Sequence, residues 1–195
     1  MASKRREQIL ATALLLFNEQ GAGKVTTNHI AKAMKISPGN LYYYFRSKEE
    51  IIAAIVEQMV VAWNPMYDVE ERPFHLNELR ALLRHNFQLI WQYRFFYREV
   101  PTLLGRDPEL KVRYLAIRDQ RLNQQIAFAR ALAEANDIGL PQDDQDLRNL
   151  FTVAWLISDT WLAFQELEAD WDEANLNAHI EKGVELIMSL YRPYF

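Results

Sequence analysis

The chain has 195 residues, half of them hydrophobic and a quarter charged, which suits one or two folded domains and excludes a disordered chain. Cysteine is absent, so disulfide frameworks, thiolate metal sites and cysteine nucleophiles are excluded, and a reducing, cytoplasmic setting is expected. The net charge of −4 hides an asymmetry: residues 1–50 carry eight Lys and Arg against four Asp and Glu, while the remainder is net −8. A polyanionic partner is therefore expected for the head alone.

The six glycines and seven prolines are few, and they fall where helices should end. A first helix is predicted from about Ser3 to Gln20, with Ile9, Ala13, Leu16 and Phe17 on one face and Gly21-Ala22-Gly23 as its stop. Its basic start at Lys4, Arg5 and Arg6 imitates an export signal, but Thr12 and the following Asn18-Glu19-Gln20 read better as an amphipathic helix. Thr26 or Thr27 can cap a short second helix reaching Met34. Ser37-Pro38 opens a third, to about Phe45, and Ser47-Lys48-Glu49-Glu50 is a capping box for a fourth. That helix holds Ile51, Ile52, Ile55, Met59, Ala62 and Trp63 and ends near Pro65.

A polar stretch from about Glu70 to Pro73 precedes a fifth helix, about Leu76 to Tyr93. The aromatic segment Phe95 to Leu104 is expected to be broken by Pro101. Asp107-Pro108-Glu109 starts a long helix to about Ala135, and the chain turns at Gly139-Leu140-Pro141. Asp143 to Glu168 reads as one long helix, and a last one runs from about Asp172 to Tyr191, stopped by Pro193. No strand alternation stands out, and no apolar run approaches the ~18 residues of a membrane span. The expected fold is all-α with about nine helices. Residues 1–50 form a helix-turn-helix head, helix four leads onward from about 47, and 51–195 form a larger helical ligand-binding and dimerisation domain.

The informative segment is Thr26 to Glu50. Two short helices joined by three or four residues have helix-turn-helix spacing. Ala31 is small where the helices must cross, and Ile36, Leu41 and Phe45 supply apolar anchors. Gly39, Asn40 and Tyr43 are then free to face a groove, where an asparagine amide can pair with adenine. Tyrosine hydroxyls and Lys48 suit phosphate oxygens. Two plainer readings stand beside these: Tyr42-Tyr43-Tyr44 as a surface aromatic cluster, and Lys4-Arg5-Arg6 as a solvated tail.

Thr26-Thr27-Asn28-His29-Ile30-Ala31, Ile36 through Phe45, and Ser47-Lys48-Glu49 together resemble the DNA-binding domain of the tetracycline-repressor (TetR) family, specifically over residues 5–60. The resemblance implies a homodimer on double-stranded DNA carrying a pseudo-palindromic operator. It also implies a small-molecule effector in the C-terminal domain that changes the separation of the two heads. By position, Thr27 and Asn28 would meet backbone or bases, Gly39, Asn40 and Tyr43 would face bases, and Tyr42, Tyr44 and Lys48 would contact phosphates. One position departs from the pattern: the family's turn has glycine where this chain has Lys35, and a left-handed lysine costs ~1 kcal/mol.

Beyond the head, Leu150 to Phe164 is apolar nearly all round, and the last helix carries a stripe through Ile180, Val184 and Ile187 with Gly183 allowing close approach. This pair could meet its copy in a four-helix interface through Phe151, Trp161, Ile180, Gly183 and Ile187, or could instead be a monomeric core. Asp159, inside the apolar run, needs a partner in the core, across a dimer or on a ligand. Arg121 lies on the face of Tyr114, Ile117 and Phe128 and is a similar anchor. Met59, Trp63, Phe87, Trp91 and Trp155 are either plain core or the lining of a largely apolar effector pocket.

Enzymatic signals are weak. His29, His75, His85 and His179 are scattered, and no Glu-x-x-His pair, P-loop, dinucleotide fingerprint or G-x-S-x-G elbow occurs. No cofactor, metal or catalytic residue is expected. The leading reading is a dimeric, ligand-responsive transcription regulator, most simply a repressor. The alternative is a helical ligand-binding or scaffold protein whose head no longer reads DNA.

Overall fold

A computed structural model describes residues 2–63, 76–136, 138–168 and 173–194. Among these the chain forms nine α-helices: α1 (Ala2–Gln20), α2 (Thr27–Ala33), α3 (Pro38–Tyr44), α4 (Lys48–Trp63), α5 (Leu76–Gln92), α6 (Arg94–Arg106), α7 (Pro108–Asn136), α8 (Asp144–Glu168) and α9 (Leu176–Tyr191). The expected caps account for most of the starts. The Ser37 hydroxyl accepts from Asn40 N at 3.2 Å with Pro38 at the first helical position. Asp107 Oδ1 accepts from Leu110 N, and Asp143 Oδ1 accepts from Gln145 N and Asp146 N. Ser47 caps α4 by accepting from Glu50 N, while Glu50 reaches back one residue beyond a simple capping box, to Arg46 N at 2.8 Å. Gly21 ends α1 in the left-handed region at φ 81°, its N–H donating to Phe17 O.

Two expected boundaries, near Pro65 and at Asp172, lie outside the described residues, as do His75 and the polar stretch 70–73. A single 3-10 turn, Glu173–Asn175, leads into α9, and a second, Arg192–Tyr194, carries Pro193 past its end. Pro101 does not break its segment: α6 runs through it from Arg94 to Arg106. An interior proline removes a helical hydrogen bond and costs ~3 kcal/mol. Here the ring points to solvent, while Phe95, Phe96 and Tyr97 before it and Leu103 and Leu104 after it are buried, so packing on both sides holds the helix through the defect.

The chain divides into two compact units, and the division differs from the expected one at residue 50. The first unit joins residues 1–62 to 93–112, and the second joins 63–92 to 113–195. Sequence order hides this because α6 packs with the head. Phe95 lies 5.3 Å from Phe17 between ring centroids, and its N–H donates to the buried Asn18 side chain at 3.0 Å. Ile9, Leu10, Ala13 and Phe17 of α1, Ile30 and Ala31 of α2, Leu41 of α3 and Ile51, Ile55 and Met59 of α4 complete a core excluded from solvent. Each of the larger side chains among them contributes about 1.5–3 kcal/mol on burial.

The second unit is centred on α5, α8 and α9. Phe87 packs on Trp161 with centroids 4.8 Å apart, and Ile90, Leu162, Ile180, Val184 and Ile187 are buried in the same unit. On the wet side of α5 and α9, Arg80 pairs with Glu185, and Arg84 grips both carboxylate oxygens of Glu181. Gln165 and His179, both buried, satisfy each other at 2.8 Å.

Gly183 sits against the central ring pair. A methyl group there would lie 2.7 Å from Phe87 and 2.8 Å from Trp161. Gly183→Ala should therefore destabilise the fold by about 1–3 kcal/mol through overpacking. Gly39→Ala, where nothing lies within 4 Å, should leave stability unchanged or raise it. Paired urea unfolding curves measure both effects, and a stable Gly183→Ala protein would contradict this packing.

Candidate nucleic-acid interface

Local chemistry builds the head before packing does. Thr26 accepts from His29 N at 3.3 Å, and His29 Nδ1 accepts from Thr26 N at 3.4 Å, so a histidine completes the capping box of α2. That role for His29 was invisible in the sequence, where glutamate or glutamine is the usual signal. The helix ends in a paired lock: Lys35 N donates to Lys32 O, and Ile36 N donates to Ala31 O. The lock requires a left-handed residue, and Lys35 supplies it at φ 55°, as the departure from glycine predicts. Ser37 then opens α3.

One side of α3 is sealed: Leu41 is fully buried and Phe45 nearly so, as are Ile30 and Ala31 opposite. The other side is open. Gly39, Asn40 and Tyr42 are exposed, and Tyr43 is 81% exposed, its ring set edge-on to Tyr44 at 5.1 Å. Thr27 and Tyr42 share a hydrogen bond of 3.0 Å between their hydroxyls, which ties the start of α2 to α3, and Asn28 is exposed beside it. The DNA-contact residues expected on α2 and α3 thus come together on one surface.

The basic residues at its margin are differently placed from expectation. The Lys48 ammonium donates to Ala22 O at 2.7 Å, while Glu99 accepts from Ala22 N at 2.8 Å. Lys48 therefore braces the end of α1 and has only its remaining N–H groups for a phosphate. Arg6 lies over the Phe45 ring at 4.8 Å, so this part of the basic start is not a loose tail. Arg98 donates to Asn18 O at 3.0 Å, completing a polar clasp on α1 that sequence reading missed. Its one visible trace was Asn18 beside the buried stripe.

The expected effector residues separate. Met59 is fully buried in the first unit. In the second, the Arg121 guanidinium lies 4.9 Å from the Trp63 ring centroid, and Arg118 lies 5.4 Å from that of Trp155. Phe87 is taken up by Trp161, and Trp91 is half-buried. Asp159 is partly buried near Tyr114 and Arg118. Burial pushes its carboxyl up to about 6, with Arg118 opposing. Burial, then Asp159, pushes the Tyr114 hydroxyl up to about 12.

The expected dimer face needs correction. Trp161, Ile180, Gly183 and Ile187 are buried inside the chain's own second unit, because Gly183 draws α9 onto Phe87 and Trp161. They have no surface left for a partner. Phe151 is half-buried against Tyr191. The apolar side chains that α8 and α9 leave exposed are Val153, Leu156, Phe164, Leu167 and Leu186. Among the described residues no helix is long and apolar enough to cross a membrane. No group of three or more acidic or histidine side chains among them could hold a metal ion.

Comparison with known proteins matches both parts of the chain. Residues 9–55 match the bacterial regulatory proteins of the tetR family, and residues 56–195 match the family described as bacterial transcriptional repressor. A solved TetR-family transcriptional regulator from Marinobacter aquaeolei VT8 is 34% identical, over 97% of this chain and 90% of that one, with a TM-score of 0.86. The transcriptional regulator TcmR of Streptomyces glaucescens is 27% identical over 93% of this chain and 82% of its own length. The ketosteroid transcriptional regulator KstR2 of Mycobacterium tuberculosis shares the fold at 18% identity, with a TM-score of 0.68 over 97% of this chain and 94% of that one.

A raised carboxyl value has a definite sign. The folded chain holds the Asp159 proton where the unfolded chain has already lost it, so the contribution to stability is fullest below pH 3.8 and is lost as pH rises through about 6. The full shift corresponds to about 3 kcal/mol, and the residue's remaining exposure reduces this to about 1–2 kcal/mol. Asp159→Asn should therefore stabilise the protein by that amount at pH 7 and by much less at pH 4. Urea unfolding of both proteins across that range checks it; a pH-independent difference would show that the carboxyl titrates normally.

Proposed function

The chain belongs to the TetR family of bacterial DNA-binding transcriptional regulators, and from that premise we propose that it is a cytoplasmic repressor acting as a homodimer on a pseudo-palindromic operator. The observation that carries the reading is the division of α3 into a sealed side, Leu41 and Phe45, and an open one, Gly39, Asn40 and Tyr43. A short helix so presented fits the major groove, with its N-terminal residues at base edges. Gly39 lets the backbone approach, the Asn40 amide reads an adenine, and Tyr43 meets base edges by its ring and hydroxyl. Thr27, Asn28, Tyr42 and Tyr44 fix the register on the sugar-phosphate chain, and Lys48 reinforces it with the N–H groups that Ala22 leaves over.

Dimerisation in this reading uses the exposed apolar side chains of α8 and α9, since a bare row of Leu156, Phe164, Leu167 and Leu186 is a poor surface to leave in water. The effector is a small, largely apolar molecule held by the second unit's aromatic residues Trp63, Trp91 and Trp155, with Arg121 and Asp159 as its polar anchors. Its action is a shift of populations: it favours the arrangement of the two heads that does not match the operator, by as much as its affinities for the two arrangements differ.

Selection of bound genomic fragments, followed by sequencing, identifies the operator. On that fragment Tyr43→Ala should lower the preference over random duplex by about tenfold, the value of one good base contact, with the melting temperature unchanged. Equal losses on operator and random DNA would remove Tyr43 from the base edges. Leu167→Glu together with Phe164→Asp should convert the dimer to monomer in sedimentation velocity. A dimer that survives both changes would place the interface elsewhere.

A further inference from the structure

We propose that Lys35 is a phosphate contact of the head, and that its left-handed backbone persists because the turn's cation is used on DNA. Among the described residues Lys35 is the one non-glycine at positive φ, 55°. The turn does not need a lysine. Its two locking hydrogen bonds, Lys35 N to Lys32 O and Ile36 N to Ala31 O, are made by the backbone, and glycine would make them without strain. The side chain is exposed, and among the described residues its ammonium makes no hydrogen bond or ion pair. A strained position whose side chain does nothing for the fold points to a use outside it.

Its location says which use. Lys35 lies in the turn between α2 and α3, two residues before the Ser37 cap and four before Gly39. When the N-terminal end of a recognition helix enters the major groove, the preceding helix crosses the backbone, so the turn between them rides on the phosphate rim. Lys48, which the resemblance places at phosphates, is held by Ala22 O, whereas the Lys35 charge is unengaged among the described residues. An ammonium is a point charge on a flexible stem, suited to a phosphate oxygen and blind to sequence. The proposal rests on the reading that α3 meets DNA.

Three variants of the full chain separate backbone strain from charge: Lys35→Gly loses both, Lys35→Gln keeps the strain and loses the charge, and Lys35→Arg keeps both. The probe is a fluorescent random-sequence duplex, titrated by anisotropy over a range of salt, with thermal melting in parallel. Lys35→Gly should melt higher than the unsubstituted protein yet bind severalfold more weakly, its salt slope smaller by about 0.9 for each protomer engaged. Lys35→Gln should lose the same slope without the gain in melting temperature, and Lys35→Arg should keep the slope. Wild-type salt slopes in both charge-removing variants overturn the phosphate contact while leaving α3 as the reader. Failure of the unsubstituted protein to bind duplex at all overturns both.

Discussion

A helix of seven residues does not persist in water by itself, because the cost of nucleating it exceeds what so few hydrogen bonds return. Everything proposed for this protein depends on α3 being held nonetheless. The holding comes from one side: Leu41 and Phe45 buried along with Ile30 and Ala31 of α2, the Ser37 cap at the front, and the Tyr42–Thr27 hydrogen bond across to α2. Because that side supplies the stability, the other can be given over to a partner. Beyond the edge contact of Tyr43 with Tyr44, no side chain of Gly39, Asn40 or Tyr43 is buried in the fold.

The same economy governs the frame behind the head. Both backbone groups of Ala22 are taken by charged side chains, Glu99 from α6 and Lys48 from α4, at the point where α1 has ended. A buried peptide group without a partner costs about 1–3 kcal/mol. The two ionic partners therefore fix where α1 stops relative to the helices beside it. With Asn18 gripping Phe95 N and Arg98 gripping Asn18 O, α6 becomes part of the head's own unit, though the chain reaches it only after α5.

Much of this was legible in the sequence because it is written locally. Ser37-Pro38, Asp107-Pro108 and Gly21 mark helix ends through backbone chemistry that needs no tertiary context, and Lys35 betrayed its strain by standing where glycine belongs. What could not be read depends on who packs with whom. Pro101 looked like a break because its cost is local, while its compensation, burial of Phe95 to Tyr97 and of Leu103 and Leu104, is not. Trp161, Ile180 and Ile187 looked like an interface because a wholly apolar helix demands cover. The sequence does not say whether the cover comes from a copy or from α5, and Gly183 admits the Phe87 ring of the same chain. His29 as a cap and Lys48 as a brace were hidden for a related reason: their partners are main-chain atoms, which no residue type advertises.

The empty space beside Gly39, and the solvent around Asn40 and Tyr43, also bear on how such a regulator diverges. Surface substitutions away from packed or capped positions usually change stability by less than about 0.5 kcal/mol. A gene copy can therefore explore new target sequences one codon at a time, with every intermediate still folded, while drift in the interior of the same small head is purged. Target choice and architecture are inherited on separate clocks.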